Sequence, residues 1–70
     1  KANMKVTTFR LFIDTTNDAF GDTSVTRARE TARLLHDIAG RIEAGAGWEW
    51  HHTIRDINGN DVGCAEFVHD

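Results

Sequence analysis

The sequence predicts a small α+β domain of order β-α-β-β, one amphipathic helix packed on one face of a three-stranded sheet. Three observations carry that prediction. Hydrophobicity has a period of two near the start, a period of three and four in the middle, and Asn58-Gly59 separates two strand-like runs near the end.

Val6 to Thr15 reads as the first strand, with Phe9, Leu11 and Ile13 alternating against Thr8, Arg10, Phe12 and Asp14. A polar loop from Thr16 to Thr23 follows. Ala19-Phe20 inside it reads as a plug folding back onto the edge of the core. The helix is expected from Ser24 to Ala44, with Ala28, Thr31, Ala32, Leu35, Ile38, Ala39 and Ile42 on its apolar face. Arg29, Arg33, His36, Asp37 and Arg41 fall outside that stripe. Asp22, Thr23 or Ser24 can cap its start, and Gly45 suits a left-handed residue just past its end.

Gly45-Ala46-Gly47 reads as the return to a second strand, Trp48 to Ile57. There Trp48, Trp50, His52 and Ile54 share one face, and Glu49, His51, Thr53 and Arg55 the other. Asn58-Gly59 suits a type I′ turn, which needs positive φ at both central residues. Asp61 to Val68 is then the third strand. A loop of two residues and one of three that adds Asn60 are both compatible with the sequence, and a one-residue slip exchanges the faces of this strand. The face away from the helix is expected to carry Thr8, Arg10, Phe12, Glu49, His51, Thr53 and Arg55. Phe12 there reads either as an isolated surface aromatic or as a self-association surface.

Seventy residues suffice for one domain, taken as residues 4–70. Met4 reads as the natural start, with Lys1-Ala2-Asn3 left over from expression. A core this small rarely supplies more than about 3–5 kcal/mol. Cys64 is the only cysteine, so no disulfide closes within the chain. No apolar run approaches the roughly 20 residues of a membrane span, and no signal-peptide pattern opens the chain. A cytoplasmic protein is expected. Eleven carboxylates against eight Lys and Arg leave a formal charge of −3, which disfavours non-specific nucleic-acid binding.

The familiar signatures of chemistry are missing. His51 and His52 are adjacent on a strand and point to opposite faces, so they cannot chelate one ion as a helical i, i+4 pair does. His52 with Cys64 and His69 is conceivable as a metal site, but structural zinc usually takes four ligands at recognisable spacing. Solvated or capping histidines explain the same residues. Nothing orients a base beside Cys64 for nucleophilic catalysis. Asp56-Ile57-Asn58-Gly59-Asn60-Asp61 fails as a calcium loop, having Asp61 and Phe67 where an EF-hand needs Gly and Glu. Gly21 stands alone before the helix, so there is no phosphate loop. The reading is of no enzyme, no metal and no cofactor.

A charge distribution remains. With both the first and second strands rising and the helix returning, the loop carrying Asp14, Asp18 and Asp22 lies at the same end as the hairpin carrying Asp56 and Asp61. Five carboxylates so placed would dock on Lys and Arg of a partner, steering association and fixing register. The competing explanation is local, since Asp is a favoured turn and cap residue and Arg27 and Arg29 are near enough to neutralise part of the cluster. Arg29 and Arg33, one turn apart, offer a nucleic-acid alternative. Glu30, Asp37 and Glu43 interrupt that face. The two tryptophans read as core bulk or, in that alternative, as base-stacking platforms.

Several stretches together resemble very small proteins encoded by bacteriophages and other mobile elements. They are the opening strand ending Phe12-Ile13-Asp14 with Asn17-Asp18-Ala19-Phe20 after it, the helix stretch Thr31 to Ile42, and the closing run Ile54 to Gly63. Some small phage-borne proteins are anti-CRISPR inhibitors, which bind effector complexes without catalysis. The resemblance implies a non-catalytic, phage-encoded inhibitor that docks on a host protein or nucleoprotein defence complex in the bacterial cytoplasm, with no direct nucleic-acid or membrane contact. A homodimer is a candidate state. The alternatives are a small nucleic-acid-binding or regulatory module, and a self-assembling accessory phage protein with Phe12 at its interface.

Overall fold

The computed structural model describes residues 6–45 and 50–69. Strand β1 spans Val6–Ile13, a single 3-10 turn Asp18–Phe20, helix α1 Ser24–Gly45, strand β2 His51–Arg55 and strand β3 Asp61–His69. The three strands form one antiparallel sheet in the order β1-β3-β2, with the helix packed on one face. The β-α-β-β order is therefore as expected. The sheet order is new information: the last strand inserts between the first two, leaving β1 and β2 as edges.

Pairing of Phe9 with Phe67, Leu11 with Ala65 and Ile13 with Gly63 sets the β1–β3 register, and His52 opposite Ala65 sets that of β2. One face then carries Phe9, Leu11, Ile13, Ala65, Phe67, His52 and Ile54. The other carries Arg10, Phe12, Cys64, Glu66, His51, Thr53 and Arg55. The expected division of β1 and β2 between faces holds over the described residues; Trp48 and Glu49 lie outside them.

The core comprises Phe20, Leu34, Ile38, Ile54, Val62 and Ala65, with Ile13, Ala19, Ile42 and Trp50 packed against it. The plug inferred from Ala19-Phe20 is present: Phe20 is wholly enclosed as a member of the core, and Ala19 packs against it half-buried. Asn17 makes this possible by accepting from the Ala19 N–H through its side chain at 3.1 Å, which starts the 3-10 turn. The apolar partners of the helix come mainly from β2 and β3, so edge strand β1 is less well covered. Phe9 and Leu11, expected on a half-buried face, are about two-fifths exposed, at 39% and 40%.

Thr23 is the helix cap. Its Oγ1 accepts from the Thr26 N–H at 3.1 Å, and the Thr26 hydroxyl in turn accepts from the Thr23 N–H at 3.2 Å, a capping box with threonine in the third position. The expected apolar stripe needs correcting. The buried residues are Glu30, Leu34 and Ile38, with Thr31 and Ile42 half-buried, whereas Ala28, Ala32, Leu35 and Ala39 are exposed. The contact line runs at a spacing of four, from Glu30 through Leu34 and Ile38 to Ile42, and Glu30 is held inward by the Ile57 N–H, which donates to its carboxylate. Gly45 also departs from expectation: it continues the helix and has no positive φ. Among the described residues, a Cβ added at Gly45 would meet nothing within 4 Å.

The hairpin has a three-residue loop, Ile57-Asn58-Gly59. The Gly59 N–H donates to the Asp56 carbonyl and the Asp56 N–H to the Asn60 carbonyl, both at 2.9 Å. Within this loop only Gly59 has positive φ, at 85°, so this is a type I turn closed by a glycine bulge and not type I′. The loop gains Ile57 rather than Asn60. Ile57 therefore leaves the second strand, which ends at Arg55. A second irregularity places Ile54 opposite Gly63 where Arg55 faces Asp61, so the slip left open by the sequence is absorbed at Val62. Gly63 has no room for a side chain, because a Cβ there would fall on the Phe12 carbonyl group.

Candidate functional site

The pole defined by the end of β1, the 3-10 turn, the start of α1 and the β2–β3 hairpin is tied together by one main-chain bond and one bond from a main-chain amide to a side chain. The Asp14 N–H donates to the Val62 carbonyl at 2.7 Å, tying the exit of β1 to the start of β3. Glu30 ties the helix to the hairpin tip by accepting from the Ile57 N–H at 3.1 Å. The backbone path thus brings both aspartate-bearing segments to one end.

The five carboxylates singled out from the sequence differ in their surroundings. Asp56 is buried, and its Oδ1 accepts from the Asn58 and Asn60 N–H groups at 2.9 Å each. It is an internal brace of the turn, and no partner can reach it as an exposed charge. Asp14 is exposed, but its Oδ1 accepts from the Thr16 hydroxyl at 2.7 Å and the Thr16 N–H at 3.0 Å. Those two bonds, the hydroxyl's first, hold its carboxyl below the usual aspartate range. Asp61 forms an exposed ion pair with Arg55 at 2.6 Å. Asp18 and Asp22 are exposed and line an open depression of about 540 Å³ together with Thr16, Asn17, Gly21 and Arg27. Neither has a salt-bridge partner among the described residues. The surface available to a partner is therefore Asp18 and Asp22, flanked by Asp14 and Asp61.

Sequence reasoning missed Glu30, which it placed on the solvent face. Its carboxylate is buried and bound bidentately by Arg33, Nε and Nη2 each donating at 2.8 Å. Arg33 chiefly holds the Glu30 carboxyl below its usual range; burial opposes this and the Ile57 N–H assists it. The available signal was the i, i+3 Glu-Arg spacing, which is common on exposed helices and says nothing about the distant amide. The same contact occupies the guanidinium of Arg33, one of the two arginines considered for phosphate binding.

Phe12 projects from the face away from the helix and is 64% exposed. It lines a shallow hollow of about 250 Å³ with Arg10, Leu11, Cys64 and Glu66. Arg10 and Glu66 bridge that face at 3.0 Å. Cys64 is exposed and faces away from the helix, whereas His52 faces the helix side, so the sheet separates two members of the conceivable metal set. Burial, with the Arg41 charge adding to it, pushes the His52 imidazole below the usual histidine range. No group of three His, Cys, Asp or Glu among the described residues is arranged to hold a metal ion. Trp50 sits in an aromatic group with Phe9, Phe67 and His52, stacked on the His52 ring at 5.8 Å between centroids. Among the described residues no helix is long and apolar enough to cross a membrane.

No protein-family model matches the chain, and no curated protein or solved structure matches it either.

Proposed function

We propose that this chain is a non-catalytic protein-binding module that docks through its acidic pole on a basic surface of a partner. The resemblance to small phage proteins suggests the partner's class, a host defence nucleoprotein complex of the CRISPR effector type, which the chain would inhibit by occupying a groove meant for nucleic acid. The observation that carries the reading is the pair Asp18 and Asp22, exposed on one concavity with no salt bridge among the described residues, beside Asp14 and Asp61. Complementary charge of this kind raises association rate and fixes orientation more than it adds affinity.

The burial of Asp56 narrows the surface, so the test uses four positions. Asp14, Asp18, Asp22 and Asp61 are reversed to Lys together, and binding to a purified effector complex is followed by surface plasmon resonance at two salt concentrations. The expected result is a fall in association rate of about tenfold or more, with reduced salt dependence. Unchanged binding and inhibition by the quadruple variant, with its circular dichroism intact, sinks the mechanism.

A further inference from the structure

We propose that β1 is a self-pairing edge through which two copies of this chain join into one continuous sheet. The inference is independent of the acidic pole. The Asp14 N–H donates inward to Val62, and the Phe12 carbonyl lies over Gly63, so residues 8, 10, 12 and 14 direct their main-chain groups at β3. Alternation then leaves the N–H and C=O groups of Phe9, Leu11 and Ile13 facing out from the open edge. These same residues carry the apolar face that the helix covers poorly.

Self-pairing is favoured over a foreign strand by the fit of the strand to itself. An antiparallel pairing about a two-fold axis at Leu11 sets Leu11 against the partner's Leu11 and Phe9 against the partner's Ile13. On the opposite face it sets Arg10, the only charge in β1, against the partner's Phe12. Arg10 keeps Glu66 at its other side and lays its guanidinium over a ring that is otherwise 64% exposed. Shifting the axis to Arg10 would oppose two like charges, which disfavours that register. Pairing at Leu11 supplies about six main-chain bonds. The two-fold axis stands perpendicular to the sheet, so both helices lie on one side and the apolar side chains of β1 become interior.

The assembly also closes. Both β1 edges are consumed, and the remaining edges are the short β2 strands of five residues, bordered by His51 and Arg55. An open hydrophobic strand would otherwise be an aggregation hazard.

The test is sedimentation equilibrium from micromolar to millimolar concentration on the intact chain and on three variants. The wild-type chain is expected to form a dimer and no higher species. Leu11→Lys, which opposes two charges at the axis, and Phe12→Arg, which opposes the partner's Arg10, should each weaken dimerisation roughly tenfold or more. Phe12→Glu should keep it or tighten it. In a Cys64→Ser background, Leu11→Cys should cross-link on mild oxidation and Phe9→Cys should not. Unfolding midpoints report whether each variant still folds. A monomer at all concentrations overturns the proposal, as does a dimer indifferent to the Leu11 and Phe12 changes or one that cross-links through Phe9→Cys instead. Binding of a foreign strand by a monomeric chain overturns the choice of occupant.

Discussion

Replacing Glu30 tests whether a buried carboxylate joins the helix to the hairpin. The Glu30 side chain is 8% exposed, while its partner Arg33 is 44% exposed. Arg33 can therefore rehydrate when Glu30 is removed, and the ion pair itself contributes only about 0.3–0.5 kcal/mol, the usual value for a helical i, i+3 or i, i+4 pair. The larger part lies in the bond from the Ile57 N–H to a charged acceptor, about 1.5–3 kcal/mol. Glu30→Ala should thus destabilise the fold by about 2–3 kcal/mol, around half of what a domain this small usually has. Glu30→Gln keeps the shape and an acceptor for Ile57, and should cost about 1 kcal/mol. Urea unfolding followed by circular dichroism measures both.

The pH dependence supplies a second reading. A carboxyl whose native pKa is depressed contributes stability that is fully present above its unfolded pKa and is lost as pH falls through the native one. The advantage of wild type over Glu30→Gln should be full at pH 7, begin to shrink near the ordinary glutamate value of about 4.3, and continue to fall below it. A Glu30→Ala cost under about 0.5 kcal/mol, the level of an ordinary surface substitution, would refute the reasoning. A wild-type advantage that does not change with pH would refute it as well.

Phe20→Ala should leave the chain largely unfolded at 25 °C, since removing a fully enclosed phenylalanine costs about 3–5 kcal/mol; loss of the cooperative thermal transition is the readout. Gly63→Ala should destabilise by about 3 kcal/mol or more, because the new methyl meets the backbone of β1 rather than a side chain able to move. Hydrogen exchange should show the loss concentrated in β1 and β3. Asp56→Ala should cost about 2 kcal/mol by unpairing the turn amides, while Asp56→Asn retains an acceptor and should cost about half as much in chemical denaturation. His52 has its native pKa lowered by burial, so its contribution is complete above the unfolded value of about 6.5 and is lost as pH falls toward the native one. Wild-type stability should therefore decline from pH 7.5 to pH 5, and His52→Gln should flatten that decline in pH-resolved melts.

Local pattern alone determined the elements and their order, for a physical reason. Alternation in β1 and β2, the capping residues before Ser24 and the turn residues at Asn58-Gly59 act over a few residues of chain, where backbone geometry leaves few options. Even the enclosure of Phe20 was foreshadowed, because one large aromatic in a polar loop has few other places to go. The path of the backbone likewise carried both aspartate-bearing segments to one end.

Choices between nearly equal local alternatives were left to tertiary contact. The helix could turn any of several adjacent rows inward, and packing on Ile54, Val62 and Ala65 together with the Ile57 amide accompanies the row of Glu30, Leu34 and Ile38. A two- or three-residue loop was equally compatible with the hairpin sequence, and the buried Asp56 carboxylate, accepting two turn amides, accompanies the loop of Ile57-Asn58-Gly59. The chemistry of the pole was decided in the same way. Charge can be counted in a sequence, but whether a carboxylate faces solvent or an internal amide depends on groups far away in the chain. That is why Asp56 is inside, Asp18 and Asp22 are outside, and the open edge of β1 became visible only once β3 was seen to lie between its neighbours.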